Sequence, residues 1–265
     1  MADVSTEPRW GRINGTFGED SELVSSLTKS YITGLQGDIL NDESVASMVK
    51  HFPGSGALDG GKDSHFPPGI QSYRGGNFEY HIKPFEEAIE IGVSSIMTYY
   101  SLPIGITKEE VGAGYNSELL LGLLRGKYAF DGIICTDWAI ISDIILPDGK
   151  VVKPASAYGV ENLNISERLE KVVMSGVDLI GGENLTNELV KLIESGQIME
   201  SRIDESVSRI MKQKFQLGLF DNPFIDASKV SEVVGKKEFI ALGERSQRES
   251  MTLLKNQDIL PLSKK

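Results

Sequence analysis

A short apolar run, Gly132-Ile133-Ile134-Cys135-Thr136, ends abruptly on Asp137 and Trp138. A β-branched run of this kind reads as a buried parallel strand that delivers a side chain to its C-terminal rim. A carboxylate at that rim, with an indole beside it as an apolar wall, suits a nucleophile that must meet an oxocarbenium-like centre. Three further segments carry polar or aromatic side chains at predicted strand ends or loop entries: Lys50-His51, Met97 to Tyr100, and Arg9-Trp10-Gly11-Arg12. Each also has a plain structural explanation. A Lys-His pair can be a hydrogen-bonded rim feature, a Tyr pair can be packing, Met97 can be core, and Trp138 can be a wall without a chemical part. His81 reads as structural.

These side chains need a scaffold, and the periodicity supplies one. Apolar runs short enough for buried strands alternate with helical patterns, the signature of parallel βαβ units. Ser21–Gln36 reads as a helix opened by the acidic cap Glu19-Asp20-Ser21 and closed at Gly37. A strand over Ser47–Phe52 follows, then a loop rich in Gly, Pro, Asp and Ser from Pro53 to Gly76, a helix near Pro84–Ile91 with proline at its start, and a strand Ser94–Tyr100. Further helices are predicted at Asn116–Lys127, Ser166–Ser175, Thr186–Ser195 and Met199–Phe215, and a short strand at Val177–Ile180. No Gly-rich phosphate loop opens any helix, so the pattern favours a (β/α)8 barrel over a doubly wound sheet.

Composition narrows the function classes. The 265 residues are 40% hydrophobic and 25% charged, which gives length for a large core and excludes disordered and fibrous classes. A net charge of −11, from 27 basic and 38 acidic side chains, argues against nucleic acid and anionic membranes as partners. Cys135 is alone, so no internal disulfide forms, and its place in an apolar strand makes it a small core residue. The sequence has no apolar run of membrane-spanning length. No His/Asp/Glu cluster has ligand spacing, so neither metal nor cofactor is implied.

Taken together and in order, the motifs resemble glycoside hydrolase family 3. The stretches that carry the resemblance are Glu7-Pro8-Arg9-Trp10-Gly11-Arg12 with Thr16-Phe17-Gly18-Glu19-Asp20, Lys50-His51-Phe52-Pro53-Gly54, Ile96-Met97-Thr98-Tyr99-Tyr100 and Leu123-Leu124-Arg125 through Asp137-Trp138. Ser175-Gly176-Val177-Asp178 and Phe215-Gln216-Leu217-Gly218-Leu219-Phe220-Asp221-Asn222-Pro223 add to it. The resemblance implies that Asp137 is the nucleophile of a retaining mechanism and forms a covalent glycosyl-enzyme. It further implies that Arg12, Lys50, His51 and Tyr100 hold the hydroxyls of the non-reducing-end sugar, with Met97 and Trp138 lining the pocket.

A retaining site also needs an acid/base, and here two readings stand. Asp63-Ser64-His65 resembles the dyad that N-acetylglucosaminidases of the family carry on a mobile loop, with His65 as acid/base and Asp63 as its orienter. In two-domain, glucosidase-like members a Glu from the following domain does this work, which would leave Asp63 and His65 a loop-stabilising pair.

The resemblance implies an exo-β-glycosidase acting on terminal β-D-glucosyl residues of oligosaccharides or on aryl and alkyl β-glycosides. The alternatives are a β-N-acetylglucosaminidase and a non-catalytic fragment or subunit of a split enzyme. It also places the chain as an internal piece of a longer protein: residues 1–225 as a barrel lacking its first strands, and 226–265 as a helical linker toward an α/β sandwich domain. A barrel so cut would expose a sheet edge, inviting self-association or pairing with the missing segments. Localisation stays open.

Overall fold

The computed structural model describes residues 1–74 and 77–263, so the last residues of the predicted 53–76 loop lie outside the described ones. The chain divides into two units, Met1–Asp221 and Asn222–Lys265. The first holds helix α1 (Ser21–Gln36), strands β1 (Met48–Phe52) and β2 (Ile70–Ser72), helix α2 (Phe78–Glu90), and strands β3 (Ser95–Thr98), β4 (Leu102–Ile104), β5 (Ile133–Cys135), β6 (Ile144–Ile145) and β7 (Val151–Lys153). Helices α3 (Ile165–Met174), α4 (Thr186–Glu194) and α5 (Glu200–Gln216) complete it. The second unit carries the short helix α6 (Val230–Val233) and helix α7 (Lys237–Glu249).

The central sheet is parallel, in the order β1-β3-β5. It continues through a bridge from Cys135 to Leu179, with Thr136 N donating to Leu179 O at 3.0 Å. Helices intervene between successive strands of this sheet, so the architecture is the α/β, (β/α) barrel-like one expected, and its strands form an arc of it. The core behind the arc includes Val49, Phe52, Phe85, Ile96, Leu120, Leu124, Ile134 and Val172, all buried. Between Val49 and Phe52 the β1–β3 register slips by one residue, a bulge that falls on Lys50-His51. Bulges re-aim side chains and recur beside active sites.

Local signals explain most element ends. Asp20 caps α1 by accepting from Leu23 N at 2.8 Å, and Gly37 closes it at φ 75°, a left-handed conformation that glycine adopts without penalty. Asn164 and Glu167 form a capping box on α3. The helix predicted at Asn116–Lys127 is present over Glu118–Lys127, wound with π hydrogen bonding.

Three expectations are corrected. The helix predicted near Pro84–Ile91 begins at Phe78, and Pro84 sits inside α2. Proline inside a helix frees the carbonyl four residues before it; here that is Tyr80 O, and it accepts Ser21 Oγ at 2.6 Å. Tyr80 Oη also accepts from Ser21 N at 3.0 Å and donates to Glu19 O at 2.9 Å, so α2 carries the start of α1. The predicted strand Val177–Ile180 shortens to the single bridge at Leu179. Finally, the 53–76 loop contains β2, which pairs in parallel with β4, and an antiparallel β6–β7 hairpin follows Asp137. With strands of two or three residues each, these ribbons leave no periodicity to read.

Candidate active site

The site forms where β1, β3 and β5 end. Asp137 lies two residues past β5 and is half-buried, with Oδ1 accepting from Trp138 N at 2.8 Å. The Tyr100 phenol, two residues past β3, lies close enough to Asp137 to feel its charge. Burial, then the neighbouring Asp137 charge, push the Tyr100 pKa up, so its hydroxyl stays protonated.

The loop beyond Asp137 is held by residues that sequence reading missed. Glu183 accepts from Ile140 N at 3.0 Å, Ile141 N at 3.2 Å and Ser142 N at 2.7 Å, and from Ser142 Oγ at 2.6 Å. Gly181 N donates to Thr136 Oγ1 at 2.8 Å. The Trp138 indole lies against Gly181 and Gly182: a Cβ on either would stand 2.3 Å from Trp138 Cε3 or 2.7 Å from Cγ. The face of Trp138 away from the glycines leaves it 51% exposed, a wall with one open side. The paired glycines, one at φ +69°, were the only sequence signal.

At the β1 end, His51 is 1% exposed and its Nδ1 lies 2.8 Å from Asp3 Oδ2. Asp3, fully buried, also accepts from the amides of His51 and Ser55 at 3.1 and 2.7 Å. Burial alone would raise its carboxyl, but the His51 charge and these hydrogen bonds outweigh it and hold the group below the usual carboxylate range. His51 Nε2 is buried without a partner, an orphan that a ligand hydroxyl would satisfy. Lys50 is half-buried beside it, and its carbonyl accepts Ala2 N at 2.7 Å. Arg12 reaches in from the N-terminal loop, with Nη1 donating to Tyr99 Oη at 3.2 Å. Met97 is buried on β3, in register with Cys135.

Asp63 and His65 do meet: Asp63 Oδ1 and His65 Nδ1 are 2.5 Å apart. The carboxylate also accepts from His65 N at 2.9 Å and Trp10 Nε1 at 2.9 Å, and from Tyr99 Oη at 3.3 Å. Burial raises the Asp63 pKa, but the His65 hydrogen bonds and the Trp10 indole hold it well below the carboxylate range. The His65 ring packs edge-on to Tyr100 at 4.8 Å, which brings the pair to the neighbour of Asp137. With Nδ1 engaged by Asp63, Nε2 is the nitrogen that can pass a proton on.

One cation in the site had no sequence signal at all. Lys153, at the end of β7, sets its ammonium 4.2 Å above the Tyr100 ring. Burial lowers its pKa, opposed by the charges of Asp137, Glu183 and Asp63. His81, as expected, is structural: it is fully buried, 3.1 Å from Thr6 Oγ1, and burial depresses its pKa to about 4.

The "Glycosyl hydrolase family 3 N terminal domain" model matches residues 1–213. Probable beta-glucosidase C of Aspergillus oryzae is 49% identical over all of this chain, which spans 41% of that protein. A periplasmic beta-glucosidase/beta-xylosidase of Dickeya chrysanthemi is 42% identical over all of the chain, which spans 43% of it. Among solved structures, a beta-glucosidase from Listeria innocua in complex with glucose superposes with a TM-score of 0.82 at 29% identity, covering 99% of this chain and 34% of that one. A family 3 beta-N-acetylglucosaminidase from Paenibacillus sp. superposes with a TM-score of 0.78 at 27% identity, over 97% of this chain and 46% of that one. The chain therefore spans less than half the length of these proteins, and it belongs to glycosyl hydrolase family 3.

Proposed function

We propose that this chain supplies the sugar site and nucleophile of a retaining exo-β-glycosidase that removes terminal β-D-glucosyl residues from oligosaccharides and from aryl or alkyl β-glycosides. The observation that carries this reading is the half-buried Asp137 carboxylate just past β5, with the Tyr100 phenol close beside it. Asp137 attacks the anomeric carbon and forms a glycosyl ester as the leaving oxygen departs; water then cleaves the ester. Arg12, Lys50 and the orphaned Nε2 of His51 donate to the sugar hydroxyls, while Met97 and Trp138 bound the pocket. The acid/base is either His65, oriented by Asp63, or a Glu from the domain that follows in longer members; whichever serves protonates the leaving oxygen and later takes the proton of the attacking water. The beta-glucosidase names of the relatives support the glucoside reading.

A second reading, β-N-acetylglucosaminide hydrolysis, is favoured by the short Asp63–His65 contact and by the Paenibacillus neighbour. The nucleophile is tested by intact-protein mass spectrometry after incubation with 2-fluoro aryl β-glucosides, followed by peptide mapping. A sugar adduct on Asp137 is expected. Turnover retained by Asp137→Asn, or a label on another carboxylate, refutes the nucleophile assignment. For His65→Ala, rates kept on aryl glycosides with good leaving groups but lost on poor ones identify the acid; equal losses on both refute it.

A further inference from the structure

Ala139, two residues past Asp137, sits at φ 55°, a left-handed conformation that alanine populates about tenfold less readily than glycine. It is buried, and contacts on both sides of the turn hold the strain in place. On the carbonyl side, Ala139 O accepts from Ser156 N at 2.9 Å and Ile140 O from Tyr115 Oη at 2.5 Å. On the amide side, one residue takes every donor. Glu183 Oε2 accepts from Ile140 N and Ile141 N, and its Oε1 from Ser142 N and Ser142 Oγ. Successive amides that converge on an anion form a nest, and the anion here is a side chain of the chain itself. The segment that carries Glu183 is also tied to β5, through the Cys135–Leu179 bridge and the bond from Gly181 N to Thr136 Oγ1. Between these two ties lie Trp138, packed on Gly181 and Gly182, and Asp137, whose Oδ1 accepts from Trp138 N.

We propose that Glu183 is a positioning residue for Asp137: its carboxylate holds Ala139 in the left-handed turn and thereby sets the direction of the Asp137 carboxylate and of the Trp138 wall. The consequence for reaction rests on the glycosidase reading; the clamp on the turn does not. Both oxygens are needed. A glutamine keeps the shape but turns its NH2 group onto one of the two donor pairs, which is then stranded. Without the clamp, Ala139 relaxes toward right-handed backbone and carries Trp138 with it. Glycine at 139 has no such strain to relieve, and the Ser156 and Tyr115 bonds then suffice to keep the turn.

The test compares the full chain with Glu183→Gln, and the Ala139→Gly chain with the double variant, by two readouts. One is the rate at which a 2-fluoro aryl β-glucoside labels Asp137. The other is acrylamide quenching of tryptophan fluorescence, which reports Trp138 because Trp10, the second of the two tryptophans, is 1% exposed. With alanine at 139, Glu183→Gln is expected to slow labelling about tenfold or more, as a small misplacement of a reacting group does, and to raise the quenching as the indole leaves the glycines. With glycine at 139, the same substitution should move either readout less than about twofold. General loss of support for the fold would not be repaired this way, since glycine favours the unfolded chain. Unchanged quenching in Glu183→Gln, an unchanged rate where the parent is labelled, or effects that persist with glycine at 139 each overturn the proposal. Failure of both Glu183→Gln variants to fold makes Glu183 a folding residue and overturns it too. A parent chain that is never labelled refutes the nucleophile reading, and the quenching comparison then decides by itself whether Glu183 holds the turn.

Discussion

Asp178→Asn is expected to be among the most destabilising single-atom-scale changes in the first unit. The Asp178 carboxylate is fully buried and joins three elements: Oδ2 takes Arg125 Nη2 at 2.5 Å and Ile134 N at 2.9 Å, and Oδ1 takes Ser206 Oγ at 2.8 Å and Arg209 Nη1 at 3.0 Å. It thereby fixes the strand whose far end carries Asp137 to the Glu118–Lys127 helix and to α5. The amide keeps the shape and one acceptor but removes the charge, leaving guanidiniums whose side chains are only 12% and 20% exposed. Removing one partner of a buried pair costs roughly 3–5 kcal/mol. Arg125 keeps the carbonyls of Phe130 and Gly132, and Arg209 keeps Asp131 at 3.6 Å, so ~2–4 kcal/mol is the better figure. At about 2–4 °C per kcal/mol for a unit of this size, Tm should fall by roughly 4–16 °C in scanning calorimetry. Arg125→Met in the same background should recover part of the loss, since it removes the stranded charge. A Tm within a degree of the parent, or no recovery in the double variant, refutes the reasoning.

Other consequences can be checked independently. His81 titrates near 6.5 when unfolded but at about 4 when folded, so the native state binds fewer protons and stability falls as pH drops from about 6.5 to about 4. His81 should account for ~3 kcal/mol of that decline, and urea titrations from pH 4 to 7 should show a shallower slope in His81→Asn. The Cys135 thiol is 1% exposed, and burial, then the Asp137 charge, push its pKa up to about 12; it should resist a thiol-reactive chromophore at pH 8 and react fully in denaturant. Gly182→Ala forces a Cβ toward Trp138 at a positive φ, so the near-ultraviolet circular dichroism should change and stability fall by ~1–2 kcal/mol; an unaltered spectrum counts against the packing described.

What was legible in the sequence was whatever acts locally. The run into Asp137, the Lys50-His51 strand end and the cap at Asp20 each announce themselves within a few residues, and the barrel-like alternation follows from strand and helix periods. Asp3, Lys153 and Glu183 did not announce themselves, because each works through a partner distant in the chain: His51, Tyr100 and the 140–142 amides. A lone carboxylate in the run Ala2-Asp3-Val4 carries no mark of the histidine it meets. Pro84 misled for the same reason, since the hydroxyl that makes it tolerable belongs to Ser21.

The contact between Ser21 and Tyr80 also bears on how the native state opens. Because α2 hands the carbonyl freed by Pro84 to the first residue of α1, each helix completes the hydrogen bonding of the other. Neither can unwind at that point without stranding a group in its neighbour, so the two form one cooperative opening unit. Amides in α1 and α2 should therefore exchange with a common opening free energy, and a peptide of residues 78–90 alone should hold little helix, having lost the hydroxyl that excuses its proline.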